Sequence, residues 1–159
     1  MKHIFLHSLF LLTLLNANNL LNDFSKYPAQ IYQGKHKISQ DYKCANTECR
    51  DINGKLVDLK INFAGKYSII PHSCGTGCRF YSLLDKQTGN DDYMILSRFN
   101  TTPDTNNKDS IDILLSQKDS NLLIAQYEYH NGTCKQEKFI FDGKKLKSIT
   151  KVLESCNEQ

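Results

Sequence analysis

Apolar residues fall in short runs separated by turn-forming dipeptides, a rhythm that predicts strands rather than helices beyond residue 28. The β-rich segments are Lys66–Ile70, Phe80–Leu84, Tyr93–Phe99, Ile111–Leu115, Leu122–Tyr129, Glu137–Phe141 and Leu146–Val152, dominated by Tyr, Phe, Ile and Leu, which suit a pleated surface. Between them, Asn53-Gly54, Asn131-Gly132 and Asp142-Gly143 are favoured two-residue hairpin turns, and Thr88-Gly89 follows Tyr81–Leu84. The strongest hairpin spans Leu122 to Phe141 around Asn131-Gly132, and a second returns through Asp142-Gly143, so three consecutive strands form a meander. Asn100–Asp109, rich in Thr, Asn and Asp and containing Pro103, predicts an exposed loop. Residues 18–27 predict a short helical turn ended by Pro28, whose ring disfavours helical dihedrals in the residue before it. The fold class is mainly β: a single antiparallel domain of meander, sandwich-like or propeller-blade-like sheets, with a short helical turn near the N-terminus and disulfides.

The first seventeen residues break this pattern. Lys2 gives a positive start, Ile4–Leu6 and Leu9–Leu15 an apolar stretch, and Ala17 a small residue at a cleavage point, the layout of a secretory signal. The stretch is shorter than the roughly 20 apolar residues a membrane helix needs. The reading is therefore a signal peptide over 1–17, a single disulfide-braced β domain over 18–159, a periplasmic or secreted address and no membrane insertion. A length of 159 residues suits one domain. Charged residues at 23% and hydrophobic ones at 40% exclude a wholly disordered or fibrous chain, and a net charge of +3 is too small to argue for nucleic acid as a partner.

Cys44, Cys49, Cys74, Cys78, Cys134 and Cys156 all follow the leader, and an even cysteine count in an exported chain predicts a disulfide framework. Fifteen pairings are possible in principle. Proximity favours Cys44 with Cys49 and Cys74 with Cys78, leaving Cys134 with Cys156. The long last loop has a chain-entropy stabilisation of about 3.4 kcal/mol, more than the short ones. Zinc fits poorly, because the Cys-x4-Cys and Cys-x3-Cys spacings depart from the Cys-x2-Cys of common structural sites. No metal or other cofactor is expected.

The segment Asn62-Phe63-Ala64-Gly65-Lys66-Tyr67, running through Ser68-Ile69-Ile70-Pro71-His72-Ser73 to Cys74-Gly75-Thr76-Gly77-Cys78, carries the most specific pattern. It resembles an uncharacterised family of small exported bacterial proteins with an Asn-Phe-Ala-Gly-His-Tyr strand, a Cys-Gly-x-Gly-Cys loop and an Asp-x-x-Thr-Gly turn. Lys66 stands where that family usually has histidine, and His72-Ser73 where an aromatic residue is common. Asp85–Gly89 matches the turn, Tyr27–Lys35 resembles the family's opening, and Ser120–Ile124 with Phe141–Lys144 its close. The resemblance implies a bacterial source and an envelope address, but no reaction.

No convergent catalytic set emerges. Ser73 beside His72 is not a nucleophile–base pair by adjacency, since neighbouring strand residues face opposite ways. Asp91-Asp92 could bind calcium or serve as an acid pair, but aspartates beside Gly89-Asn90 more often solvate a turn. Small size, export and disulfide-braced loops predict a non-enzymatic module that binds another protein, as an inhibitor or immunity protein against a toxic envelope-acting enzyme. The expected contact surface is the strand-end loop with His72, Ser73, Thr76, Arg79 and Phe80. The alternatives are a small hydrolase or carbohydrate-binding protein using His72, Asp85 or Asp91-Asp92, and a structural envelope protein. Intact-mass analysis of the native protein should find a chain beginning near Asn18; a retained leader would overturn the assignment of 1–17.

Overall fold

The computed structural model describes residues 22–101, 110–129, 131–151 and 154–156. These residues build a mainly β protein with three antiparallel sheets. The first sheet holds β1 (Lys43–Ala45), β2 (Glu48–Arg50) and β3 (Leu56–Val57) in that order. The second holds β4 (Tyr67–Gly75), β5 (Cys78–Asp85) and β6 (Asp91–Asp92). The third comprises β7 (Ser110–Ser116), β8 (Leu122–Tyr129), β9 (Cys134–Phe141) and β10 (Leu146–Ser148) in the order β10-β9-β8-β7, with β11 (Glu154–Ser155) also on β9. The meander read from the sequence is β8-β9-β10. The three cysteine pairs are Cys44–Cys49, Cys74–Cys78 and Cys134–Cys156.

Strand alternation explains how the sheets stack. Ile69, Tyr81 and Leu83 meet Leu123, Ala125, Phe139 and Phe141 of the third sheet, together with Phe63, Leu96 and Phe99, in the main core. Their neighbours Ile70 and Leu84 face the other way and pack on Tyr42 and Leu59 beneath the first sheet. Leu122 and Ile124 likewise leave the main core and cover Phe24 from the helical turn at residues 22–25. The continuous apolar runs Ile69-Ile70, Leu83-Leu84 and Leu122–Ala125 thus belong to strands covered on both faces.

Two local expectations differ from the structure. Tyr93–Phe99 is not a strand: the Asp92 side chain accepts the N–H groups of Met94 (2.7 Å) and Ile95 (2.8 Å), and a 3-10 helix follows over Ser97–Phe99. Its three-residue period brings Leu96 and Phe99 to the core together, where alternation would have separated them. The first sheet was unforeseen, because its strands are two or three residues long and mostly exposed. The expected helical turn is confined, among the described residues, to 22–25, and most of the expected 100–109 loop lies outside them.

The residues of the Asn62–Tyr67 segment and the Asp85–Gly89 turn perform structural work. The Asn62 side-chain amide pairs like a strand residue with Ile69, accepting its N–H at 2.7 Å and donating to its carbonyl at 3.0 Å. Phe63 is fully buried, and Ala64 and Gly65 turn the chain at positive φ (44° and 78°). Asp85 accepts the Gln87 and Thr88 N–H groups with one oxygen and the Lys66 ammonium at 2.9 Å with the other. Replacing Gly65 with alanine would put a Cβ 2.1 Å from the Gln30 carbonyl oxygen, whereas a Cβ at Gly132, also at positive φ, would meet nothing within 4 Å. Gly65→Ala should therefore cost more than about 2 kcal/mol and Gly132→Ala about 1 kcal/mol in urea unfolding. Equal costs would contradict the close approach at Gly65.

Candidate functional site

The face of the second sheet that looks toward the first carries Ser68, Ile70 and His72 from β4 and, opposite them, Leu84, Ser82 and Phe80 from β5. This interface is therefore apolar in one half and polar in the other. At its polar end lies a hydrogen-bonded cluster. His72 Nδ1 is 3.0 Å from Asp51 Oδ2, and His72 Nε2 is 2.9 Å from Ser82 Oγ. Ser82 Oγ is 3.0 Å from Tyr42 Oη, whose hydroxyl donates to Asp91 Oδ2. Tyr42, Asp51, His72 and Ser82 are all buried, Ser82 completely.

Each partner is set by local structure. Asp51 opens the β2–β3 turn, and its Oδ1 accepts the N–H groups of Asn53 and Lys55, both at 2.9 Å. That locks the carboxylate so that Oδ2 points at His72. The Phe80 ring, cross-strand from His72, stacks on the imidazole at 4.7 Å and 13°, with Tyr93 at 6.0 Å and Tyr42 at 6.2 Å.

Burial works against ionising Asp51, but the hydrogen bonds from His72 and from the Lys55 and Asn53 N–H groups outweigh it and hold its carboxyl below the usual range. Burial and the neighbouring Asp91 push the Tyr42 phenol upward, and burial with Asp91 and Asp41 raises Tyr93 to about 12.

The five residues expected to share one contact surface separate here. Ser73, Thr76 and Arg79 are exposed at the β4–β5 tip, which the Cys74–Cys78 disulfide closes. His72 is 3% exposed and turned toward Asp51, so it offers nothing to a partner, and Phe80 is half-buried against it. The cause is alternation: His72 shares the inward face of Ile70, and Ser73 the opposite face. Arg79 exchanges two backbone hydrogen bonds with Thr101, at 3.0 and 2.7 Å, which braces the tip.

The other candidates have structural duties. Asp85 holds its turn and Lys66, Asp92 starts the bend before the 3-10 helix, and Asp91 joins the cluster. Among the described residues, no three His, Cys, Asp or Glu side chains converge as metal ligands. Sequence reading missed Tyr42, Asp51, Ser82 and Asp91 as companions of His72, because they lie 30, 21, 10 and 19 positions away with no shared motif. The one available signal was Asp51-Ile52-Asn53-Gly54, an aspartate poised to accept N–H groups of its own turn.

No protein-family model, curated protein or solved structure matches the chain. The geometry of the cluster therefore stands alone.

Asp51→Ala would leave the imidazole and two backbone N–H groups without an acceptor, at an expected cost of about 3 kcal/mol. Because the Asp51 carboxyl is held low, its contribution is complete above the unfolded value of about 3.9 and is lost as pH falls through the folded one. Urea melts across that range should show acid destabilisation in the wild type that is largely absent in Asp51→Ala. An acid limb of equal size in both proteins would assign it to other carboxyls.

Proposed function

We propose that the protein is an exported, non-enzymatic protein-binding module, an inhibitor or immunity protein directed against a toxic enzyme acting in the bacterial envelope. The observation that carries this reading is the construction of the β4–β5 tip. It is closed by Cys74–Cys78, tied to Thr101 through the Arg79 backbone and rooted on the His72 cluster, and it presents Ser73, Thr76 and Arg79 to solvent. A loop fixed before association loses little conformational entropy on binding, and arginine is among the residues enriched at interface hot spots. Two large apolar side chains near the cluster, Ile52 (73% exposed, next to Asp51) and Met94 (76%, next to Tyr93), offer further contact area. Three disulfides suit an oxidising compartment, and among the described residues no helix is long and apolar enough to cross a membrane.

One observation favours a second reading. Asp51, His72 and Ser82 follow the orienter, base and nucleophile order of a serine hydrolase, at 3.0 and 2.9 Å. Against it, Ser82 is fully buried in the middle of β5 and its oxygen also meets Tyr42, so a substrate carbonyl cannot approach without opening the sheet interface.

The test couples capture from envelope extract with inhibition of the captured enzyme. Arg79→Ala combined with Thr76→Lys should weaken both by roughly 30-fold, about 2 kcal/mol, while thermal stability changes by under about 0.5 kcal/mol. Unchanged affinity in the folded double variant would move the contact surface elsewhere. Labelling of the native protein by a fluorophosphonate, lost in Ser82→Ala, would replace the inhibitor reading with the hydrolase.

A further inference from the structure

Four short contacts join the cluster in order, Asp51 to His72, His72 to Ser82, Ser82 to Tyr42 and Tyr42 to Asp91, and Tyr42 Oη also lies 3.5 Å from His72 Nε2. Each contact needs one proton between its two heavy atoms. Both oxygens of Asp51 act as acceptors, Oδ1 for two N–H groups and Oδ2 for His72 Nδ1, so Asp51 is a carboxylate and Nδ1 carries a hydrogen. At the far end the Tyr42 hydroxyl donates to Asp91. With a neutral imidazole and an ionised Asp91, only the Ser82 hydroxyl hydrogen is left for the two middle contacts. It can serve His72 Nε2 or Tyr42 Oη, not both, and the contact left without it would set two lone pairs against each other at about 3 Å where water is excluded.

We propose that this chain binds one additional proton, seated on His72, so that an imidazolium is held between two carboxylates, directly on one side and through a Ser82–Tyr42 relay on the other. The donors then run in one direction: His72 Nδ1–H to Asp51, His72 Nε2–H to Ser82, Ser82 O–H to Tyr42, Tyr42 O–H to Asp91. The surroundings favour a cation. Phe80 lays its ring face on the imidazole at 4.7 Å, and among the described residues neither Asp51 nor Asp91 has a lysine or arginine partner. Without the proton, the interface would hold two carboxylates and no counter-charge.

The titratable groups around His72 come from every neighbouring element: Tyr42 from the segment before β1, Asp51 from the β2–β3 turn, Asp91 from β6 and Tyr93 just after it, with Asp41 acting on Tyr93. All are acidic or phenolic. Loss of the proton breaks the chain in its middle, where Ser82 and Tyr42 join β5 to the segment entering the first sheet. Deprotonation would therefore loosen the first sheet from the root of the β4–β5 hairpin.

Nitrogen-15 NMR of the native protein at about pH 7.5 reads the state of His72 directly. Two protonated ring nitrogens are expected, and an acceptor-type Nε2 would overturn the proposal. In Asp91→Asn the amide nitrogen can donate to Tyr42 Oη, turning the relay round so that Ser82 donates to a neutral His72. That variant should show an acceptor Nε2 at the same pH. An imidazolium that persists in the folded Asp91→Asn protein would also overturn the relay. If that variant does not fold, the wild-type spectrum alone decides the question.

Discussion

Two sheets meet face to face between Asp51 and Asp91, and the polar groups trapped there must satisfy one another because little water reaches them. That requirement governs the rest of the structure. Tyr42, Asp51, His72, Ser82 and Asp91 come from five separate chain segments, and each can be buried only if the next is in place. The cluster thus acts as a registry device: a slip of one residue in β4 would turn His72 outward and bring Ser73 in, leaving the Asp51 carboxylate buried with no histidine to pair with. The apolar half of the same interface, Tyr42, Leu59, Ile70 and Leu84, contributes burial but would tolerate more than one arrangement.

The first sheet is too small to stand alone, with strands of two or three residues and large exposed side chains at Ile52 and Leu56. It is held by the Cys44–Cys49 link across β1 and β2, by Tyr42 and Asp51 reaching into the cluster, and by the Ser68 hydroxyl donating to the carbonyls of Leu59 and Lys60. The third sheet relies instead on apolar packing on both of its faces and on Cys134–Cys156, which fastens the segment of β11 to β9. The molecule therefore has a hydrophobic half and a half that depends on polar geometry. The β4–β5 hairpin belongs to both, and its tip projects from the polar one.

This division bears on function. A tip rooted in packed aliphatic side chains would be stiff under all conditions, whereas one rooted in a hydrogen-bond chain is stiff only while every donor is present. The proposed binding surface and the proposed proton are thus physically linked through His72 and Phe80, although each stands on its own observations. The Ser-His-Asp order within the cluster has distances that suit proton transfer, and its serine is fully buried.

Local chemistry made the β class, turns at Asn53-Gly54, Asn131-Gly132 and Asp142-Gly143, the meander after Leu122 and the three cysteine pairs readable from the chain, because each depends on residues close in sequence; the connections are longer than the two residues expected, with five residues between Arg50 and Leu56 and four between Phe141 and Leu146. Asn62, Gly65 and Asp85 were readable as a pattern but not as scaffold, since their duties are defined by contacts with Ile69, Gln30 and Lys66. The bend and 3-10 helix from Tyr93 to Phe99 escaped because apolar residues at that spacing serve a strand as readily as a tight helix, and only the position of the core chose between them. His72 was noticed for the wrong reason. Its neighbours along the chain suggested a surface loop, but the face it occupies follows from strand register, and its partners were assembled by the stacking of two sheets, which no interval within the sequence records.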